Sequence, residues 1–265
     1  MSNDNEKKNY VPTLDNLYEE SNCLGENETV GRMFFASNKY QVLFTDCKEL
    51  VQYGGGEKAI IADGFKKIWP AAFSHNTLLK GVVIPNSVTT IGDYAFFICP
   101  FLKDVQLGSN VKSIGKQAFM TCGNDELFIA LPDSVEFIGE KALAGCTIDA
   151  LSNELKHIGA EAFRDCVWLS SNLDETAEWY ADIPEMVTTI EDYAFASLIL
   201  GDNCKGIRIP LSVKKIGKAA FEDIRGDGKN ILYYEGSEDQ WNAIEIDNSD
   251  DWLKDFEIRF NSTRK

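Results

Sequence analysis

The sequence predicts a repeat solenoid built mostly of short β-strands, α/β-type in class, and three observations carry that prediction. First, the stretch 82–99 reads Val-Val-Ile-Pro-Asn-Ser-Val-Thr-Thr-Ile-Gly-Asp-Tyr-Ala-Phe-Phe-Ile-Cys; it returns at 105–122 and, more worn, at 129–146. Second, an Ile followed five residues later by Phe or Leu recurs, with the second residue at Phe73, Phe96, Phe119, Leu143, Phe163, Phe195 and Phe221. Successive markers stand 23, 23, 24, 20, 32 and 26 residues apart, the period of one supersecondary coil stacked on the next. Third, Cys99, Cys122, Cys146 and Cys166 each fall three residues after their marker, so they share one phase of the repeat.

Each part of the coil has a physical reading. Val82/Ile84, Val105/Leu107, Ile129/Leu131 and Ile207/Ile209 alternate with other residues, and Ile183 holds the same place, as a strand with one buried face requires. Pro85, Pro132, Pro184 and Pro210 end those strands, because proline cannot extend a parallel ladder. A second apolar pair, Val88/Ile91 and its equivalents, turns the chain back across the core. Gly92, Gly115, Gly139, Gly159 and Gly217 are expected at sharp bends that suit a residue without Cβ. Glu191 occupies this place in one coil and predicts a negative φ there. The Ala-Phe pair that follows fits a short helical or 3₁₀ turn, Ala allowing close approach and Phe filling the core. A cysteine at a stacked position is a small hydrophobe suited to a buried ladder. Seven cysteines in all, with no Cys-x-x-Cys spacing, argue against both a full disulfide framework and a zinc site.

The ends read differently. Residues 1–30 are polar and acidic and are expected to be a flexible tail, with a short helix around Leu14 to Glu20. Residues 31–59 contain β-rich runs around a turn at Ser37 and Asn38 and are expected to cap the first coil, which has no neighbour. Repeats then occupy 60–230, about seven coils. In 231–265, Ser237 with Gln240 three residues on predicts a capped helix carrying Trp241; Trp252, Phe256, Ile258 and Phe260 would complete a C-terminal cap.

The pattern Leu-x-x-Ile-x-Leu-Pro-x-x-Val-x-x-Ile-Gly-x-x-Ala-Phe-x-x-Cys, carried over roughly residues 60–235, resembles the BspA-like (Treponema pallidum-type) leucine-rich repeats. That resemblance implies a curved, right-handed leucine-rich repeat solenoid with a parallel sheet on one face and caps at both ends. It also implies a bacterial or protozoan surface protein that binds host matrix proteins or other cells. The segment 231–246 is similar to the C-terminal segment of many such repeat proteins from gut bacteria.

Charge and motifs narrow the function classes. A net charge of -16 repels phosphate backbones, so no nucleic-acid partner is expected. The same charge serves either solubility or the steering of a basic partner. No run of about 18 apolar residues predicts a transmembrane segment. Residues 1–8 lack the apolar core of a secretion signal, leaving two readings: Met1 as the native start of a cytoplasmic protein, or a leader removed from a surface or secreted one. The two histidines, His75 and His157, lie in different coils, and His157 is expected to be a solvated surface residue. No nucleophile elbow, Walker loop or His-Glu-x-x-His occurs, and Gly54 to Gly56 lacks the Lys-Ser/Thr of a phosphate loop. Paired carboxylates for glycoside chemistry would need a cleft that an open solenoid rarely offers. Calcium at 247–251 has no EF-hand spacing behind it. No enzyme, cofactor or metal is expected, and a monomer is, since capped ends oppose end-to-end stacking.

What remains is a surface for a protein partner, either a host matrix or cell-surface protein or a basic intracellular one. The outward stripe of the sheet is expected to contain Val83, Gln106, Ala130, Ala150, Asp182 and Arg208, flanked by Asp104, Phe128 and Tyr180. The 32-residue spacing leaves an insertion over 168–180, and insertions in solenoids become loops that often bind. Trp168, Trp179 and Tyr180 would then join the stripe in one interface; the competing reading packs them over the edge of the core.

Overall fold

The computed structural model describes residues 30–34, 41–45, 49–53, 57–61, 63–123, 126–170 and 177–262. Residues 1–29 of the expected tail, the turn at Ser37 and Asn38, Gly54 to Gly56 and residues 171–176 of the insertion lie outside the described residues.

The chain winds as a solenoid with almost no helix, and its coils stack as parallel ladders. One ladder consists of Lys67–Ile68, Thr90–Ile91, Ser113–Ile114, Phe137–Ile138, His157–Ile158, Thr189–Ile190, Lys215–Ile216 and Glu245–Ile246. At its start Val30–Phe34, Gln41–Thr45 and Glu49–Tyr53 pair antiparallel in order, and the last joins Lys67–Ile68 in parallel, completing an 11-stranded sheet. A second, 8-stranded sheet runs through Lys58–Ile60, Gly81–Val83, Asp104–Gln106, Phe128–Ile129, Thr147–Ile148, Val167–Trp168, Ile199–Leu200 and Arg225–Gly226.

Between these ladders the core is filled by columns of like side chains. Ile68, Ile91, Ile114, Ile138, Ile158, Ile190 and Ile216 are fully buried, as are Phe96, Phe119, Phe163, Phe195 and Phe221. The phenyl rings stack coil on coil, 4.6 Å between Phe73 and Phe96 and 4.9 Å between Phe96 and Phe119. Leu143 interrupts the column; it resumes from Phe163 through Phe195 to Phe221 and ends against Trp252 at 5.9 Å. The cysteine ladder is buried as the repeat phase requires, with Cys99, Cys122 and Cys166 donating Sγ–H bonds to the carbonyls of Phe73, Phe96 and Leu143.

Two local readings need correction. The Ile-Gly glycines do not sit at left-handed bends, while Glu191 has no positive φ, as expected. Their reason is proximity: a Cβ on Gly139 would stand 2.7 Å from the Lys116 nitrogen, and one on Gly159 2.6 Å from the Glu140 nitrogen. Each of these glycines donates its N–H to the isoleucine carbonyl of the preceding coil at 2.8 or 2.9 Å, which holds two backbones in direct contact. That bond does not recur at Glu191, where pairing narrows to Ile158 opposite Ile190.

The Ala-Phe side of the coil, in turn, is not a helix. It is a row of turns whose left-handed residues include Tyr94, Gln117, Lys141, Glu161 and Tyr193, with a second row that includes Ile98, Thr121, Asp165, Ser197 and Asp223. Alternate N–H groups there donate to the next coil, as Tyr94 does to Lys116 and Phe96 to Ala118, both within 2.8 Å. These inter-coil bonds offset the cost of left-handed backbone at residues with a Cβ, about 1–2 kcal/mol each.

The insertion changes the cross-section. In the early coils the strand of the second sheet leads straight into the proline turn. From Val167–Trp168 onward an extra strand intervenes, and Trp179–Asp182, Cys204–Ile209, Ile231–Tyr234 and Glu257–Arg259 form a third, 4-stranded parallel sheet. Within the insertion, Trp168, Trp179 and Tyr180 therefore lie on strands. The C-terminal helix Glu238–Asn242 carries the expected capping box between Ser237 and Gln240 and buries Trp241.

Gly139→Ala is expected to destabilise the fold by about 1–3 kcal/mol through overpacking against the Lys116 backbone. Gly81→Ala, whose Cβ would meet nothing nearer than 3.5 Å, is expected to be close to neutral. Equal urea midpoints for the two variants would contradict the contact as the reason for glycine.

The buried thiols supply a pH signature. Burial pushes the Cys166 thiol up from 9.0 to about 12 and the Cys204 thiol to about 11. A raised thiol pKa contributes stability that is complete below the unfolded value and is lost as pH rises from about 9 toward the folded values. In that window the free energy of unfolding should fall by about 1.4 kcal/mol per pH unit per thiol. Denaturation at about pH 8 and about pH 10.5 measures the loss, and Cys166→Ala should reduce it by one thiol's share.

Candidate functional site

The third sheet presents its outward face as two rows of side chains. Alternation buries Trp179, Ala181, Ile207, Ile209, Leu232 and Tyr234 and turns their neighbours outward. Register then aligns Asp182, Arg208, Tyr233 and Arg259 across the four strands. Tyr180, Lys205, Ile231 and Glu257 lie one step back along the same strands.

These groups form a connected aromatic and ionic lattice. The Arg208 guanidinium lies 3.9 Å from the Tyr180 ring centroid and pairs with Asp182 at 3.1 Å. The Tyr180 and Tyr233 rings meet edge to face at 5.0 Å. Arg259 donates to the Tyr233 hydroxyl at 2.8 Å and to both carboxylate oxygens of Glu257. That carboxylate raises the Arg259 guanidinium pKa, and the guanidinium holds Glu257 below the usual carboxylate range. Lys205 pairs with Glu178. Arg208 is only 8% exposed, and its Nε has no hydrogen-bond partner among the described residues. A buried guanidinium N–H without an acceptor is costly unless something supplies one.

The residues expected to form one interface divide between two sheets. Asp104, Gln106 and Phe128 face outward on the second sheet, Phe128 being 39% exposed, and Gln106 donates to the Asp104 carboxylate. Tyr180, Asp182 and Arg208 belong to the third. Ala150 is on no strand; the outward residue of its coil is Thr147. The single stripe is thus corrected to two faces, joined in one coil by residues 201–203 alone. An open hollow of about 360 Å³ lies at that corner, lined by Lys205, Tyr233 and Arg259 among others.

Trp168 and Trp179 are 2% and 8% exposed, which corrects their placement on the surface: they belong to the core. Their indole N–H groups donate to the main-chain carbonyls of Asp149 and Asp202 in neighbouring coils. Sequence reasoning missed Tyr233 and Arg259, which stand in the segment read as a cap; their one signal was the alternation of 231–234. His157 is half-buried and stacks at 4.6 Å on the exposed ring of Phe137, outward on the first sheet. Asp247 lies in a turn where its carbonyl accepts the Trp252 indole and its carboxylate accepts the Ser249 N–H. Among the described residues no group of three or more His, Cys, Asp or Glu could hold a metal, and no helix is long and apolar enough to cross a membrane.

With this geometry in place, comparison with known proteins is informative. A family model for the BspA type leucine rich repeat region matches in 6 copies over residues 44–170 and 171–231. The chain belongs to the BspA-type leucine-rich repeat family. A solved leucine-rich repeat protein of T. pallidum shares 22% identity with a TM-score of 0.52, covering 75% of this chain and 88% of that one, which shows a shared fold. A leucine-rich repeat protein from Bacteroides ovatus shares 18% identity with a TM-score of 0.44, covering 90% and 79%. No curated protein matches. Proteins of this family are generally non-enzymatic interaction modules, and membership suggests a protein-interaction module here.

Arg208→Lys keeps the charge but loses the flat stack on Tyr180 and the fork toward Asp182. We expect a lower thermal midpoint, by about 2–6 °C for a loss of about 1–2 kcal/mol. An unchanged midpoint would show that the stack contributes nothing to the fold.

Proposed function

We propose that the protein binds a protein partner through the outward face of its third sheet, as an adhesin-like module at a bacterial cell surface whose target is a host matrix or other cell-surface protein. The observation that carries this reading is the lattice of Tyr180, Arg208, Tyr233 and Arg259. Tyrosine and arginine are the residues that most often anchor interfaces, and here they sit preorganised on rigid strands. Lys205, Arg208 and Arg259 balance Glu178, Asp182 and Glu257, so this face is close to neutral on a chain of net charge -16. Recognition here would use shape and stacking more than bulk charge. The family resemblance supports the surface role. A second reading, an intracellular scaffold or inhibitor of a basic protein, draws its support from the overall acidity.

Biolayer interferometry against purified matrix proteins, with protease shaving of intact source cells beside it, tests the proposal. Tyr180→Ala combined with Arg259→Ala should weaken a measured interaction at least tenfold, about 1.4 kcal/mol, with the thermal transition still cooperative. Full affinity in the double variant would remove the third sheet from the interface. Absence of released peptides, with the protein recovered from the lysate, would favour the intracellular reading.

A further inference from the structure

The outward face of the second sheet carries a different surface from the one just described. Register places Phe128 opposite Thr147, Thr147 opposite Val167, and Val167 opposite Ile199. Four successive strands therefore turn an apolar or β-branched side chain outward, in a ribbon roughly 15 Å across at the usual strand spacing. Leu169, one step along, is 38% exposed. A Cβ on Gly201 would stand 2.8 Å from Leu169 Cδ2, so Leu169 lies across that glycine and widens the ribbon. Soluble surfaces rarely leave a contiguous apolar strip without use.

The border of the ribbon says what would cover it. The next outward row passes from Asp149 through Leu169 and Gly201 to Asp227, with Asp202 following Gly201. Among the described residues no cation stands within ion-pair distance of Asp202 or Asp227. The carboxylate of Asp227 does accept the Asn203 N–H at 2.9 Å, which holds it in place. On the opposite border Asp165 and Asp223 are exposed and meet arginines only at 3.6 and 3.9 Å. The ribbon is thus an apolar strip with carboxylates along both sides, Asp104 beyond Phe128 at one end and Arg225 beyond Ile199 at the other, on a chain of net charge -16. A second copy would bring the same carboxylates to face these, and a phosphate backbone would be repelled.

We propose that the ribbon from Phe128 to Ile199 is a second docking surface, for a segment of another protein that presents apolar side chains flanked by Lys or Arg. Apolar burial supplies the contact, and the aspartates set orientation and association rate. This surface is distinct from the Tyr180–Arg259 lattice, and the two adjoin only at the hollow that Asp227 shares with Tyr233 and Arg259.

A labelled synthetic peptide of alternating Leu and Lys serves as the probe, read by fluorescence anisotropy against the full chain. Peptides of alternating Leu and Glu and of alternating Ser and Lys serve as comparisons. The Leu–Lys peptide should bind at least tenfold more tightly than either, and more weakly as salt rises. Phe128→Ser with Ile199→Thr should lower its affinity at least tenfold, while Tyr180→Ala with Arg259→Ala should leave it unchanged. Equal binding of the Ser–Lys peptide would reduce the surface to bulk charge and overturn the proposal. So would unchanged affinity in the Phe128/Ile199 variant. A doubled mass by light scattering, lost in that variant, would give the ribbon to a second copy and overturn it as well.

Discussion

Backbone contact between adjacent coils is the constraint on which the rest of this molecule depends. The ladder spacing leaves no room for a side chain between the chain segments that follow each core isoleucine, so glycine stands there. Gly92, Gly115, Gly139, Gly159 and Gly217 each bring an N–H within bonding distance of the preceding coil. Once that distance is set, like side chains in successive coils are forced into columns. Rings then stack on rings and thiols lie beneath carbonyls. The columns are a consequence of the spacing, and they deepen the core without needing any one coil to be stable by itself.

The departure at Glu191 shows the same constraint from the other side. Its coil follows the insertion, and there the characteristic N–H bond is missing and the register narrows to one pair. It is also the coil from which the third sheet begins. Regular stacking weakens where the cross-section widens, and the widening is what creates a new outward face bearing tyrosine and arginine. Fold regularity and surface novelty are exchanged at a single junction.

Much of the fold was legible in the sequence because a repeat displays its own alignment. Seven Ile markers and their Phe or Leu partners identified buried positions, and the phase of the cysteines placed them in the core. The glycines were found but misread, since a sequence shows a missing Cβ without showing whether a bend or a neighbouring backbone demands it. The left-handed rows were invisible: Tyr94, Gln117 and Lys141 are not residues that announce such a conformation, and only the inter-coil bonds make it stable. The surface was half legible. Tyr180, Asp182 and Arg208 were found by alternation. Their separation from Phe128 followed from a sheet that the regular repeat does not contain, and Tyr233 and Arg259 became their neighbours only through register between distant strands.

Trp252 has a meaning for how such a protein can change over generations. It closes the phenyl column by lying against Phe221, and its indole is tied to the Asp247 carbonyl within its own segment. A terminator that meets the column at its last ring is indifferent to how many rings precede it. Unequal recombination could add or delete whole coils upstream, and the same end piece would still fit whichever phenylalanine became last. Lineages could therefore lengthen or shorten the binding surface in steps of one coil while inheriting the finish unchanged.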